Sequence, residues 1–233
     1  MKLQARETRV RNISIMVTGR TELLMHNSRL VNPMDPATKE LSAAHAEYKR
    51  TKTDDAFEEQ CRAEFSGSMY YYEADDAVIG PYWSTDSFHA CLKNAGAKIV
   101  KKGRTTFKNF VAAALIPGGS DINPLTSRSA RRGEPAPRDL EGLWADEFYR
   151  DIRPARVGTA TIMRTRPVFH DWKFEVPFTL DTEVLDLADL RRILTIAGQV
   201  VGLGDWRPEK GGRRGRFTAT VRDLGETRLE DII

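Results

Sequence analysis

Apolar and polar positions divide the chain into segments of two periods. Val10, Ile13, Ile15 and Val17 fall in a β-branched stretch that partly alternates, which predicts a strand over 8–18 that stops at Gly19. Residues 38–66 have helical composition, broken at the polar run KRTKTDD. In the second half Phe57, Cys61 and Phe65 recur every four residues, and Asp54 or Asp55 suits the cap. A short aromatic strand is predicted over 69–73, a turn at Ile79-Gly80-Pro81, and a helix over 84–93 capped by Ser84 or Thr85. The apolar run Val111–Ile116 fits a strand or a buried helix equally, because periodicity does not separate them. Two strands are predicted at 157–164 and 173–180, joined by RTRPVFHDW. Leu187, Leu190, Leu194, Ala197 and Val201 then step by three and four along one helix face, with Asp186 as cap and Gly202 as terminator. A strand over 216–223, with Phe217, Ala219 and Val221 on one side, closes the pattern.

Two long polar segments interrupt this order. LLMHNSRLVNPMDP, residues 23–36, carries two prolines and two asparagines and is expected as a loop. Residues 117–138, rich in Gly, Pro, Ser and Arg, form an unusually long connection for a compact domain, which implies mobility or function. The remaining elements read β-α-β-β-α-β. The expected fold is therefore α+β, a single domain over 1–233. It has a ferredoxin-like or RNA-recognition-type core from about 8–73 and 150–233, an inserted helical region over 74–149, and a long basic loop.

Composition narrows the function only slightly. The 233 residues carry a net charge of +3, so binding of a polyanion requires the basic residues to concentrate on one surface. The longest apolar run, Phe110–Ile116, is far short of the ~20 residues that span a bilayer. MKLQARETRVR lacks an apolar signal core, and Cys61 and Cys91 are too few for a disulfide framework. A cytoplasmic protein with no cofactor and no membrane partner is expected. No Cys/His spacing suggests a metal, and Asp75-Asp76 reads as a plain turn.

The chemistry concentrates in GLGDWRPEKGGRRGRF, residues 202–217. Glycine lets a polyanion approach backbone N–H groups, and Arg207, Lys210, Arg213, Arg214 and Arg216 supply charge. Gly202 is explained by helix capping. Gly211, Gly212 and Gly215 are not, so the functional weight falls on GGRRGR. Trp206 is suited either to stacking on a base or to plugging the loop onto its helix. Further candidates for phosphate contact are Lys101, Lys102 and Arg104 in a run without acids, Arg128, Arg131 and Arg132 in the long loop, and Arg164 and Arg166 at an expected hairpin tip. His26, with Asn27 and Arg29 beside it, is a structural histidine, a phosphate contact or a general base.

A helix, a glycine-rich basic loop carrying Gly202, Gly204, Gly211, Gly212 and Gly215, and a short strand near the C-terminus resemble the RAMP superfamily of CRISPR systems. The similarity is greatest to the backbone subunits that polymerise along guide RNA, and it covers the last third of the chain. Gly215-Arg216-Phe217 keeps only part of that family's alternation of glycine with bulky residues. The resemblance implies a non-enzymatic protein that binds a single strand, RNA or DNA, and assembles with copies of itself or with other ribonucleoprotein subunits. The loop bearing Arg128, Arg131 and Arg132 would be its arm. Nucleases of the same superfamily imply the alternative, metal-independent RNA cleavage with His26 as base. LMHNSRLVNPMDP is also similar to uncharacterised phage and prophage proteins, which leaves a third possibility, a module acting on a host protein complex.

Overall fold

The structure is a computed structural model that describes residues 10–74 and 77–227. Strand β1 (Val10–Gly19) leads into the short β2 (Leu23–Leu24) and a 3-10 turn, Ser28–Val31. Helix α1 (Pro36–Thr51) starts at Asp35, whose carboxylate accepts from Ala37 N–H, with Pro36 at the first helical position. Helix α2 (Asp54–Ser68) is capped by Thr53 and not by the aspartates; those occupy its first turn, where they favour the helix dipole. Strands β3 (Tyr71–Ala74) and β4 (Ala77–Ser84) pair, and the expected turn at Ile79–Pro81 is instead a stretch of β4 with Gly80 at φ +77° near a register shift. Ser84 caps α3 (Thr85–Ala97), as the sequence suggests.

The basic run folds into a ribbon, β5 (Val100–Lys102) and β6 (Thr105–Thr106). The ambiguous apolar segment becomes both alternatives in turn, α4 (Lys108–Ala114) and then β7 (Leu115–Pro117). The long loop contains β8 (Ile122–Pro124), and it is followed by α5 (Leu140–Ala145), β9 (Arg150–Val157), β10 (Ala160–Phe169) and β11 (Lys173–Asp181). Asp186 caps α6 (Leu187–Ile196), which widens over Ala197–Val201 before Gly202 and the final strand β12 (Phe217–Thr227). The predicted start of the first strand at Thr8 and the Asp75-Asp76 turn lie outside the described residues.

The main sheet is antiparallel, in the order β12-β1-β11-β7. The two strands expected to form a hairpin do not pair: β10 joins β9 and β2 in a second sheet, and the place beside β11 goes to β7. Segment 74–149 is thus no appendage. It supplies α3, α4 and β7 to one common core.

Pleating decides the faces of the main sheet. Ile13, Ile15 and Val17 point with Phe174, Val176, Phe178 and Phe217 into the core, under α3 and α6. Phe88 of α3 meets Phe174, Phe178 and Phe217 at ring-centroid distances of 5.8, 6.3 and 6.0 Å. The opposite face presents Asn12, Thr18, Lys173, Glu175, Thr218, Thr220 and Arg222, all exposed. It offers no aromatic platform of the kind RNA-recognition modules use.

Candidate nucleic-acid interface

The glycine loop is folded tightly on itself. A Cβ at Gly212 would collide with Trp206 O, and one at Gly215, where φ is +68°, with Leu203 O. Gly212 and Gly215 therefore have a packing reason, and Gly211 a conformational one, its φ of +78°. Its amides are also taken: Gly211 N–H donates to Pro208 O (2.9 Å), Gly212 to Arg207 O (3.0 Å), Arg214 to Trp206 O (3.1 Å), Gly215 to Glu22 O (2.8 Å) and Arg216 to Thr21 Oγ1 (3.0 Å). The expected backbone cradle for phosphate is absent at these five residues, and any grip falls to side chains.

Packing this dense presents Trp206. Its backbone sits at φ +51°, a conformation a bulky residue adopts only when its surroundings enforce it. Asp205 Oδ1 accepts from Trp206 N–H at 2.8 Å, and the residue is 40 % exposed, so it is not a buried plug. The Arg213 and Arg214 guanidiniums stand 5.5 and 5.6 Å from its ring centroid. Arg213 is exposed. Arg214 is buried, with Nη2 3.7 Å from Asp151 Oδ1, and burial lowers its pKa against the pull of that carboxylate. Arg214 therefore orders the platform and does not reach for solvent.

The loop is tied to the turn after β1. Arg20 N–H donates to Arg216 O at 2.7 Å, and that turn borders a polar cleft of about 370 Å³ lined by Arg20, Glu22, Arg128 and His170. The Glu22 carboxyl is held below its usual range by its own backbone hydrogen bond and, against its burial, by Arg214, His170 and Arg213. Arg128 lies 3.1 Å from Asp171 and over the Phe148 ring at 5.2 Å. Two basic segments far apart in sequence, around Arg128 and Arg213, thus border one surface.

Other candidates are distributed differently. The long loop is pinned by a bridge between Thr126 and Lys173 and by hydrogen bonds from Arg128 N–H to His170 O (2.8 Å) and Ala130 N–H to Tyr149 Oη (3.2 Å). It is not a free arm. Arg131 and Arg132 are exposed on it, Arg131 3.8 Å from Glu134. Arg164 and Arg166 lie inside β10 and not at a hairpin tip. Arg164 binds Glu64 at 2.6 Å, and buried Arg166 pairs with Asp205 beneath the platform. Asn27 and Arg29 staple the 23–36 loop to the end of α2: Asn27 Oδ1 accepts from Arg29 N–H, and Arg29 donates to Gly67 O (3.0 Å) and Ser66 O (2.7 Å). Arg207 donates to Gly204 O (3.1 Å) and lies 3.5 Å from Glu209, whereas Lys210 is exposed and Arg216 donates to Gln199 O. Lys101, Lys102 and Arg104 belong to the β5–β6 ribbon, where Lys101 caps the Phe110 ring at 3.7 Å.

His26 is half-buried, its Nδ1 3.4 Å from Ser68 Oγ. Burial lowers its pKa; Asp205 and Glu64 pull upward, Arg164 and Arg166 downward. It lines a cleft of about 240 Å³ together with Tyr70, Trp83 and Arg207. Cys91 also borders this cleft, but burial pushes its thiol up to about 12, which leaves it inert. Sequence reasoning missed Arg20, Glu22, Asp205 and Trp83 as site neighbours. The only local sign was the position of Arg20 directly after the first strand.

No protein-family model matches the chain, and no curated protein matches it. Among the described residues no group of three or more His, Cys, Asp and Glu is placed to hold a metal ion, and no helix is long and apolar enough to cross a membrane.

Proposed function

We propose that the protein binds single-stranded nucleic acid and assembles with copies of itself along the strand. The observation that carries this reading is Trp206, held exposed at positive φ with Arg213 beside it and the Arg20–Arg128 cleft bordering the same loop. An aromatic face next to guanidiniums is the chemistry by which unpaired bases and their phosphates are held without sequence readout. The main sheet supports a ferredoxin-like reading, with β1, β7, β11 and β12 as its four strands and α3/α4 and α6 as its two helical crossovers. Side-by-side assembly is supported by the resemblance to RAMP backbone subunits. The two reduced, buried cysteines suit a cytoplasmic setting.

Fluorescence anisotropy with labelled single-stranded RNA and DNA, from 50 to 300 mM salt, tests it. Log K should fall with log salt at a slope of about −0.7 per phosphate contacted. A flat response or no binding overturns the reading. RNA recovered shortened in EDTA, and intact with His26→Ala, overturns it in favour of cleavage.

A further inference from the structure

Helix α1 is the least covered of the α-helices: none of its 16 residues is buried, whereas the others each sink residues into the core. A helix in a globular protein is held mainly by burying an apolar face, so the open side of α1 is free to take a partner. That side fronts a groove of about 400 Å³ between α1, α2 and β10, with Leu41, Tyr48, Phe57, Ile162 and Met163 as apolar walls. Ile162 and Met163 are both exposed, although successive strand residues point to opposite faces, so neither face of β10 is closed there. A second hollow of about 320 Å³ shares Leu41, His45 and Lys49 and adds Ser42 and Ala46, so the path continues along α1. Its occupant is elongated.

The free charge on this path has one sign. His45, Lys49 and Lys52 border the groove from the side of α1. Among the described residues Lys49 has no ion-pair partner, and the Lys52 ammonium stands over the Tyr48 ring at 4.9 Å. The one acid of the lining, Glu64, is buried and already accepts from Arg164 at 2.6 Å and from Thr165 N–H at 2.8 Å. The rings are poorly placed to stack on bases: Tyr48 meets Phe57 at a centroid distance of 5.2 Å and carries Lys52 on its face. Exposed apolar surface with a charged rim is the mark of a protein contact.

We infer that this groove docks an acidic, apolar segment of another protein, laid along α1 with large apolar side chains against Leu41, Ile162 and Met163 and carboxylates against Lys49 and Lys52. The inference does not depend on the single-strand reading, because the groove shares no lining residue with the Arg20–Arg128 cleft or the Trp206 loop.

Selection from a phage-displayed library of random 16-residue peptides on the intact chain tests it, with Ala46→Asp and Ile162→Asp as separate controls. Both positions are exposed, one on each wall, so each variant should stay folded by circular dichroism while placing a carboxylate on the path. Enriched peptides should combine Asp or Glu with large apolar residues, and should fail to bind either variant. A synthetic peptide of an enriched sequence should bind the Lys49→Ala, Lys52→Ala double variant about two- to 30-fold more weakly, the range for two exposed charge pairs. Absence of enrichment, enrichment of Lys- or Arg-rich peptides, or binding that survives Ala46→Asp or Ile162→Asp overturns the groove. Displacement of the peptide by a single-stranded oligonucleotide also overturns it, because the groove would then belong to the path of the strand.

Discussion

Gly211 and Gly215 both sit at positive φ, +78° and +68°, yet their surroundings differ. Nothing lies within 4 Å of a Cβ added to Gly211, whereas one added to Gly215 meets Leu203 O. Alanine at Gly211 carries only the left-handed penalty of about 1–2 kcal/mol. Alanine at Gly215 adds displacement of a backbone carbonyl and strain on the Gly215 N–H bond to Glu22 O. Gly215→Ala should therefore lose about 3 kcal/mol or more, a fall in Tm of roughly 6–12 °C, against roughly 2–8 °C for Gly211→Ala. Thermal circular dichroism on the two variants checks this, and equal shifts would contradict the crowding at Gly215. Trp206 belongs to the same residue-scale argument, because its strained backbone is stabilised by Asp205 and by the carbonyl contact with Arg214. Sequence composition showed that glycines and arginines cluster here. It did not show that the Gly215 and Arg216 amides bond inward, because their acceptors are on Glu22 and Thr21, far away in the chain.

At the scale of elements, the long helices α1, α2, α3 and α6 were legible, whereas the short α4 and α5 and the pairing of strands were not. Asp186 and Ser84 sit directly before their periodic runs and cap α6 and α3 as local chemistry requires. Strand β9 left no comparable signal: RDIRPARV carries three arginines and a proline, and Ile152, Arg153 and Pro154 are exposed. Pro154 suits an edge strand, which β9 is in its three-stranded sheet. Without β9, the sequence assigns β10 to β11. In the structure β10 is held by β9 and by Glu64 of α2, a 3 % exposed carboxylate that accepts from Arg164 at 2.6 Å and from Thr165 N–H at 2.8 Å. Glu64→Ala strips the acceptor from a buried amide and a half-buried guanidinium. It should cost about 3 kcal/mol, lowering Tm by roughly 6–12 °C. Glu64→Gln keeps an acceptor for Thr165 and should cost less. Urea melts of both variants check the order, and a Glu64→Ala midpoint equal to that of the parent would contradict the docking role.

For the molecule as a whole, an α+β chain built on antiparallel sheets was foreseeable from alternating periods, whereas the concentration of charge was not. A net charge of +3 says nothing about where the basic residues gather. Folding brings the turn at Arg20, the pinned loop at Arg128 and the platform at Arg213 around one stretch of backbone, Gly19–Glu22. If a strand lies on this surface, its phosphates meet Arg128 and Arg213 together. Both side chains are exposed, and the Arg128 pair with Asp171 is a surface contact worth about 0–1 kcal/mol, so alanine at either position should leave Tm nearly unchanged. Each substitution should make the slope of log K against log salt less negative by about 0.7, and the double variant by about 1.4. The additive result requires one strand to touch both loops in the same protomer. A slope that responds to Arg213→Ala but not to Arg128→Ala would route the strand away from the Arg20–Arg128 cleft, and the basic surface would shrink to the platform alone.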